Sequence, residues 1–176
     1  MKEINPEHIK ELLELINQSD YFQLLDMKVC ELGPRYSKVM MELDKKHLNP
    51  FGGIHGGAYA SVIDTAAYWA AYCDMEEDAG YTSMDLCVNN LATLKGGCIL
   101  AEGRRIKSGR NIYLCEAEVK DGNGKLIAHG TSKLMVLAGR QSIRQALEAV
   151  KGRPLPAKFL ESDNLLKVRL FLYLSL

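Results

Sequence analysis

The chain has 176 residues, enough for one domain with a substantial core, and its 22 basic residues balance its 22 acidic ones. That balance excludes the footprint expected of a nucleic-acid-binding protein or of an electrostatic membrane surface. The first residues, Met-Lys-Glu-Ile-Asn-Pro-Glu-His, lack the apolar core of a secretory signal, and no run approaches the roughly 18 apolar residues of a membrane span, so the expected location is cytoplasmic.

In chain order, Ile9, Leu12, Leu13 and Ile16 fall at helical spacing within residues 6–17, with Asn5 as N-cap and Pro6 in the first turn. Residues 19–25 read as a connector or a second short turn. Residues 27–32 and 36–43 read as strands on either side of the turn signal Gly33-Pro34. In the second of them, Ser37, Val39, Met41 and Leu43 alternate with Tyr36, Lys38, Met40 and Glu42, which gives one buried face. An alanine-rich apolar run from about Gly57 towards Asp74 reads as a long helix. Four strand candidates follow, at residues 82–92, 98–106, 111–120 and 126–137. Their separators, Lys95-Gly96-Gly97, Lys107-Ser108-Gly109-Arg110 and Asp121-Gly122-Asn123-Gly124, all carry hairpin chemistry. The expected architecture is α+β, a curved antiparallel sheet wrapped around one central helix.

After the strands, Ile143, Ala146, Leu147 and Val150 mark an amphipathic helix over residues 141–150, ended by Arg153-Pro154-Leu155-Pro156. Residues 165–176 alternate like a strand, and no function follows from them. The expected division is a main domain over residues 1–138 and a C-terminal helix and tail over residues 139–176.

The stretch from Asn49 to Asp64 carries the chemistry. Pro50 and four glycines, Gly52, Gly53, Gly56 and Gly57, precede the long helix. Glycine permits tight turns and close approach to the main chain, and a helix entered this way presents unpaired N–H groups suited to an oxyanion or a polarised carbonyl. Asp64 is the only carboxylate between His55 and Asp74, on a face shared with Ala60, Ala67, Tyr68 and Ala71. A carboxylate on so apolar a face is either costly or useful. It either caps a loop or pairs with a distant cation, or else it belongs to a reactive site with His55 and Asn49 beside it.

The pattern Asn49-x-x-Gly52-x-x-His55-Gly56-Gly57 followed by Asp64 resembles the signature of the PaaI-type acyl-CoA thioesterases. Those enzymes belong to the hot-dog fold superfamily, alongside the 4-hydroxybenzoyl-CoA thioesterases. The resemblance covers roughly residues 19–137 and implies the same fold. It implies thioester hydrolysis, with Asp64 as general base or nucleophile, the Gly57 N–H polarising the carbonyl, Asn49 facing the thioester and His55 orienting Asn49 or the turn. It further implies that Ser83 positions water, with Thr82 the near alternative. Gly56 and Tyr68 join Thr82 as candidate substrate contacts, and Arg105, Lys107 and Arg110 are candidates for the phosphates of coenzyme A.

Two other classes compete with that reading. A hot-dog hydratase or dehydratase pairs its acid with a histidine on or near the helix, and this helix has none. A non-catalytic acyl-CoA-binding protein would not need Asp64. Five cysteines without a C-x-x-C, and four histidines without an H-x-x-x-H, point to no metal, and no cofactor is expected. Gly57 and Asp64 lie seven residues apart, hence roughly 10 Å along a helix axis. Groups acting on one carbonyl must approach within about 3–3.5 Å. A two-fold dimer with antiparallel central helices, or a tetramer built from such dimers, would bring the two together across subunits.

Overall fold

The computed structural model of the protein describes residues 2–77, 79–137 and 142–160. Helix α1 (Pro6–Ile16) starts where the sequence places it, with Asn5 Oδ1 accepting the Glu7 N–H at 3.1 Å. A short α2 (Asp20–Leu24) follows, then β1 (Met27–Gly33) and β2 (Tyr36–Leu43). The glycine-rich loop leads into the central helix α3 (Gly56–Trp69), which is followed by a 3₁₀ turn at Tyr72–Asp74. Strands β3 (Gly80–Asn90), β4 (Gly97–Ser108), β5 (Ile112–Asp121) and β6 (Leu126–Leu137) complete the sheet, and α4 (Ile143–Lys151) packs back near α1. No helix among the described residues is long and apolar enough to cross a membrane. The alternating stretch at residues 165–176 lies outside the described residues.

The six strands form one antiparallel sheet in the order β1-β2-β4-β5-β6-β3, with α3 packed against all six. This is the hot-dog architecture. Two of the three expected hairpins form, β4–β5 and β5–β6. The third is corrected by the structure: β3 pairs with β6 at the far edge, and residues 91–96 cross back to begin β4 beside β2. The crossing is held by the N–H groups of Leu91 and Ala92 on Ile127 O, and by the Ile54 N–H on Leu94 O at 2.8 Å. Gly96-Gly97 turns the chain, with Gly97 at φ +98°, but a turn does not choose the partner of the strand it feeds.

What seats α3 is a row of small residues across the sheet. Ser37, Gly103, Ala117 and Gly130 are register partners in succession on β2, β4, β5 and β6. A Cβ on Gly103 would lie 2.2 Å from Ala66 O, and one on Gly130 would lie 2.7 Å from Ile63 Cγ2. The helix backbone therefore sits where a larger residue would collide with it. Ser37 Oγ donates to Ala66 O at 2.6 Å, fixing the helix at that groove. Val62, Ile63, Ala66 and Ala67 are fully buried on the sheet side. The two larger side chains contribute about 1.5–3 kcal/mol each relative to exposure.

Candidate active site

With one face of α3 on the sheet, Asp64 projects half-buried from another. Ser83 on β3 reaches it: Ser83 Oγ donates to Asp64 Oδ1 at 3.1 Å. The register of β3 shifts between Ser83 and Asp85, so the strand is irregular just past this contact. Thr82, its neighbour, is exposed, because successive side chains of a strand point to opposite faces. Tyr68, one turn after Asp64, exchanges hydrogen bonds with Tyr81: each hydroxyl donates to the other residue's carbonyl, at 3.3 and 3.0 Å. Burial first, and then the Asp64 charge, push the Tyr68 hydroxyl up to about 12, so it stays a donor. Its ring lines the space in front of Asp64 while its hydroxyl serves the fold.

At the start of α3, Asn49 builds the loop from within. Its Oδ1 accepts the N–H groups of Phe51 at 2.9 Å and Gly53 at 3.2 Å, and its main chain bonds Gly53 O at 2.7 Å. His55 is the N-cap of α3, with Nδ1 accepting the Gly57 N–H at 2.8 Å. The cap also bears on the amide expected to polarise the carbonyl. The Gly57 N–H is occupied by the cap, whereas the preceding amide, the Gly56 N–H, has no partner among the described residues. Gly56 is itself crowded, since a Cβ there would lie 2.9 Å from Asn90 Nδ2.

The basic candidates separate. The Arg105 guanidinium pairs with Asp74 at 3.5 Å, with side chains 13% and 21% exposed, and lies over the Tyr113 ring. Lys107 and Arg110 make no ion pair among the described residues and rim an open cleft of about 520 Å³ with Lys133, which pairs with Asp85 at 2.5 Å.

Two cavities meet at Asp64. One, of about 530 Å³, runs between α1, α2, α3 and α4; the other, of about 430 Å³, opens beside Tyr21, Ser61 and Leu86, and Phe22 lies on the boundary of both. Tyr21 donates its hydroxyl to Ser61 Oγ at 2.7 Å, because Ser61 in turn donates to Gly57 O at 2.9 Å. The sequence does not single out Tyr21, Phe22, Asn90, Leu147 or Val150 as site residues. The last two were legible only as the apolar stripe of a helix, and nothing local marked the others.

Within one protomer, Gly56 and Asp64 are eight residues apart, roughly 12 Å along the α3 axis. The spare amide at the helix N-terminus and the carboxylate beside the apolar cavity are thus well separated along one helix.

Comparison with known proteins agrees with this fold. The thioesterase superfamily model matches residues 51–128. A candidate esterase of Saccharolobus solfataricus is 30% identical over 121 residues, covering 68% of this chain and 79% of that one. Acyl-coenzyme A thioesterase 13 of Homo sapiens is 25% identical over 126 residues, covering 69% of this chain and 89% of the human one. A thioesterase crystal structure from Haemophilus influenzae shares the fold with a TM-score of 0.70 at 22% identity, over 78% of this chain and 95% of that one. The class these define is the hot-dog thioester hydrolases. The chain belongs to the thioesterase superfamily.

Proposed function

We propose that the protein hydrolyses an acyl- or aryl-coenzyme A thioester to the free acid and coenzyme A, with each active site shared between two copies of the chain. The observation that carries the reading is the Asp64 carboxylate, held by Ser83 and opening on a largely apolar cavity. The resemblance to PaaI-type enzymes supports the same assignment.

In this reading the thioester carbonyl lies at the Gly56 N–H of one protomer and faces Asp64 of its partner. Asp64 takes a proton from water as the water oxygen adds to the carbonyl carbon, and the amide holds the oxyanion that forms. The C–S bond then breaks, and the departing thiolate takes up the proton. Alternatively the carboxylate itself adds, and water opens the resulting anhydride. Ser83 holds one carboxylate oxygen in place and leaves the other facing the cavity. Asn49 and His55 act by shaping the loop that aims the amide. Lys107 and Arg110, without an ion pair among the described residues, are the cations for the coenzyme A phosphates. Residues 142–160 belong to the same working unit as the sheet, rather than to a separate tail.

The hydratase reading is weakened by the absence of a histidine on the face of α3 that carries Asp64. The test is release of free thiol from a panel of acyl- and aryl-CoAs by wild type and by Asp64→Asn. Turnover that the variant abolishes supports the assignment. Thiol release that survives the substitution undiminished removes Asp64 from the chemistry.

A further inference from the structure

The larger cavity at Asp64 has a wall that the hot-dog elements do not make. From Asp64 and Trp69 on α3 it passes Ile16 at the end of α1 and Phe22 on α2, and it is closed by Leu147 and Val150 of α4. Those two residues are three apart, so they share one face of α4. The helix lies wholly outside residues 51–128, the span matched by the superfamily model.

This helix is anchored in place. Ser142 and Gln145 form a reciprocal capping box, and Gly152 closes the other end in the left-handed conformation at φ +69°. Arg144 bonds Glu77, Glu148 and the Leu155 carbonyl. Beyond α4, Leu155 and Lys158 are each 2% exposed, and the Lys158 ammonium donates to Tyr72 O and Met75 O at 2.5 and 2.7 Å. A helix so fixed nevertheless leaves Val150 78% exposed at the mouth of an apolar cavity. The group bonded to a carbonyl under attack by Asp64 must lie within a few bonds of that carboxylate, which places it at the entrance to this cavity. Asp20 on the same rim and Asp64 itself would repel an anionic end.

We propose that α4 is the specificity wall of the acyl site: Leu147 and Val150 receive the far end of a neutral, apolar acyl or aryl group, and acyl groups that end in a carboxylate are disfavoured. This rests on the thioesterase reading and names its substrate class.

The test uses unreactive thioether probes, S-decyl-CoA, S-ethyl-CoA and S-(3-carboxypropyl)-CoA, titrated calorimetrically into wild type and Val150→Asp. Val150 is exposed, so the variant folds, which circular dichroism verifies. The expected result is S-decyl-CoA bound about tenfold more weakly by the variant, the low end of what one methylene contact decides in an apolar pocket, with S-ethyl-CoA unchanged. The carboxylated probe should bind wild type no more tightly than S-ethyl-CoA. Equal S-decyl-CoA affinity in the two proteins overturns the wall, and tight binding of the carboxylated probe overturns the exclusion of anions. Should wild type bind S-decyl-CoA through Val150 yet release no thiol from decanoyl-CoA, the wall stands and the hydrolytic reading falls. Leu147→Trp, which shortens the cavity, is expected to move the turnover preference from decanoyl-CoA towards acetyl-CoA, and an unmoved preference speaks against α4.

Discussion

The two ends of α3 are built on opposite terms. At its N-terminus the chain is exposed: Phe51 is 95% in solvent, His55 caps from outside, and the Gly56 N–H is left without a protein partner among the described residues. At its C-terminus the polar groups are buried and matched. His8 bonds Tyr72 Oη at 2.7 Å and the Pro156 carbonyl at 2.7 Å, and burial lowers its proton affinity. Lys158 bonds two carbonyls and lies 4.1 Å from the Tyr72 ring centre, while Asp74 accepts the Arg35 N–H at 2.6 Å and pairs with Arg105. One end of the helix spends its hydrogen-bonding capacity on the fold; the other keeps an amide that the proposed function gives to the thioester carbonyl. In the proposed function, stability and chemistry fall to different ends of the same helix, with Asp64 between them.

The largest expected effect sharpens that division. Asp64→Asn keeps the shape and loses the basicity, so turnover should fall by about 10²–10⁴-fold while the urea midpoint stays near wild type. A fall in stability of the same variant would show that Asp64 serves the fold after all.

Breaking the matched end should do the reverse. Lys158→Ala leaves a cavity and removes the donor from Met75 O, at an expected cost of about 2–4 kcal/mol in chemical denaturation, with turnover per folded molecule unchanged. The cost should also depend on pH. Burial lowers the Lys158 ammonium from 10.5 to about 8 in the folded protein. Between those values the unfolded chain binds the extra proton, so the lysine's contribution to stability rises with pH. The gap between wild type and Lys158→Ala should therefore widen from about pH 8 to pH 10.5 and be flat below it. A gap that narrows over that range contradicts the buried-cation account.

A smaller effect belongs to the exposed end. His55→Ala removes the cap of α3 and should cost about 1 kcal/mol. Because it also frees the Gly57 N–H and loosens the loop, turnover should fall, though by less than for Asp64→Asn. An unchanged urea midpoint would show that the Nδ1 bond does not hold the helix start.

The same contrast explains what the sequence disclosed. Every strand was marked by period and punctuation, and the alternation of Ser37, Val39, Met41 and Leu43 gave the buried face of β2 directly. Asp64 is legible because a lone carboxylate on an apolar helix is a local signal, whereas Ser83 is marked only by the resemblance to the PaaI-type enzymes. Interactions between distant segments are not legible. Gly96-Gly97 reads as a hairpin, yet β3 finds β6, because pairing is decided by register across the whole sheet. Arg105 reads as a free cation until Asp74 folds against it. Lys158 carries no local mark at all, since only the carbonyls at the end of α3 give it a place. The cap on Gly57 shifts the available amide by one residue, a distinction that depends on which way one imidazole turns.

The central claim is that the reserved end of one α3 works with Asp64 of another, and co-refolding two inactive variants tests it most directly. Asp64→Ala lacks the carboxylate, and Asn49→Ala lacks the acceptor that shapes the loop before Gly56. If the site is shared, each hybrid dimer carries one intact site and one doubly damaged one. Random pairing makes half the dimers hybrid, so activity should return to about a quarter of wild type. Hybrids that form, as verified by mass-tagged chains, and yet stay as inactive as their parents would place the whole site within one chain and contradict the account.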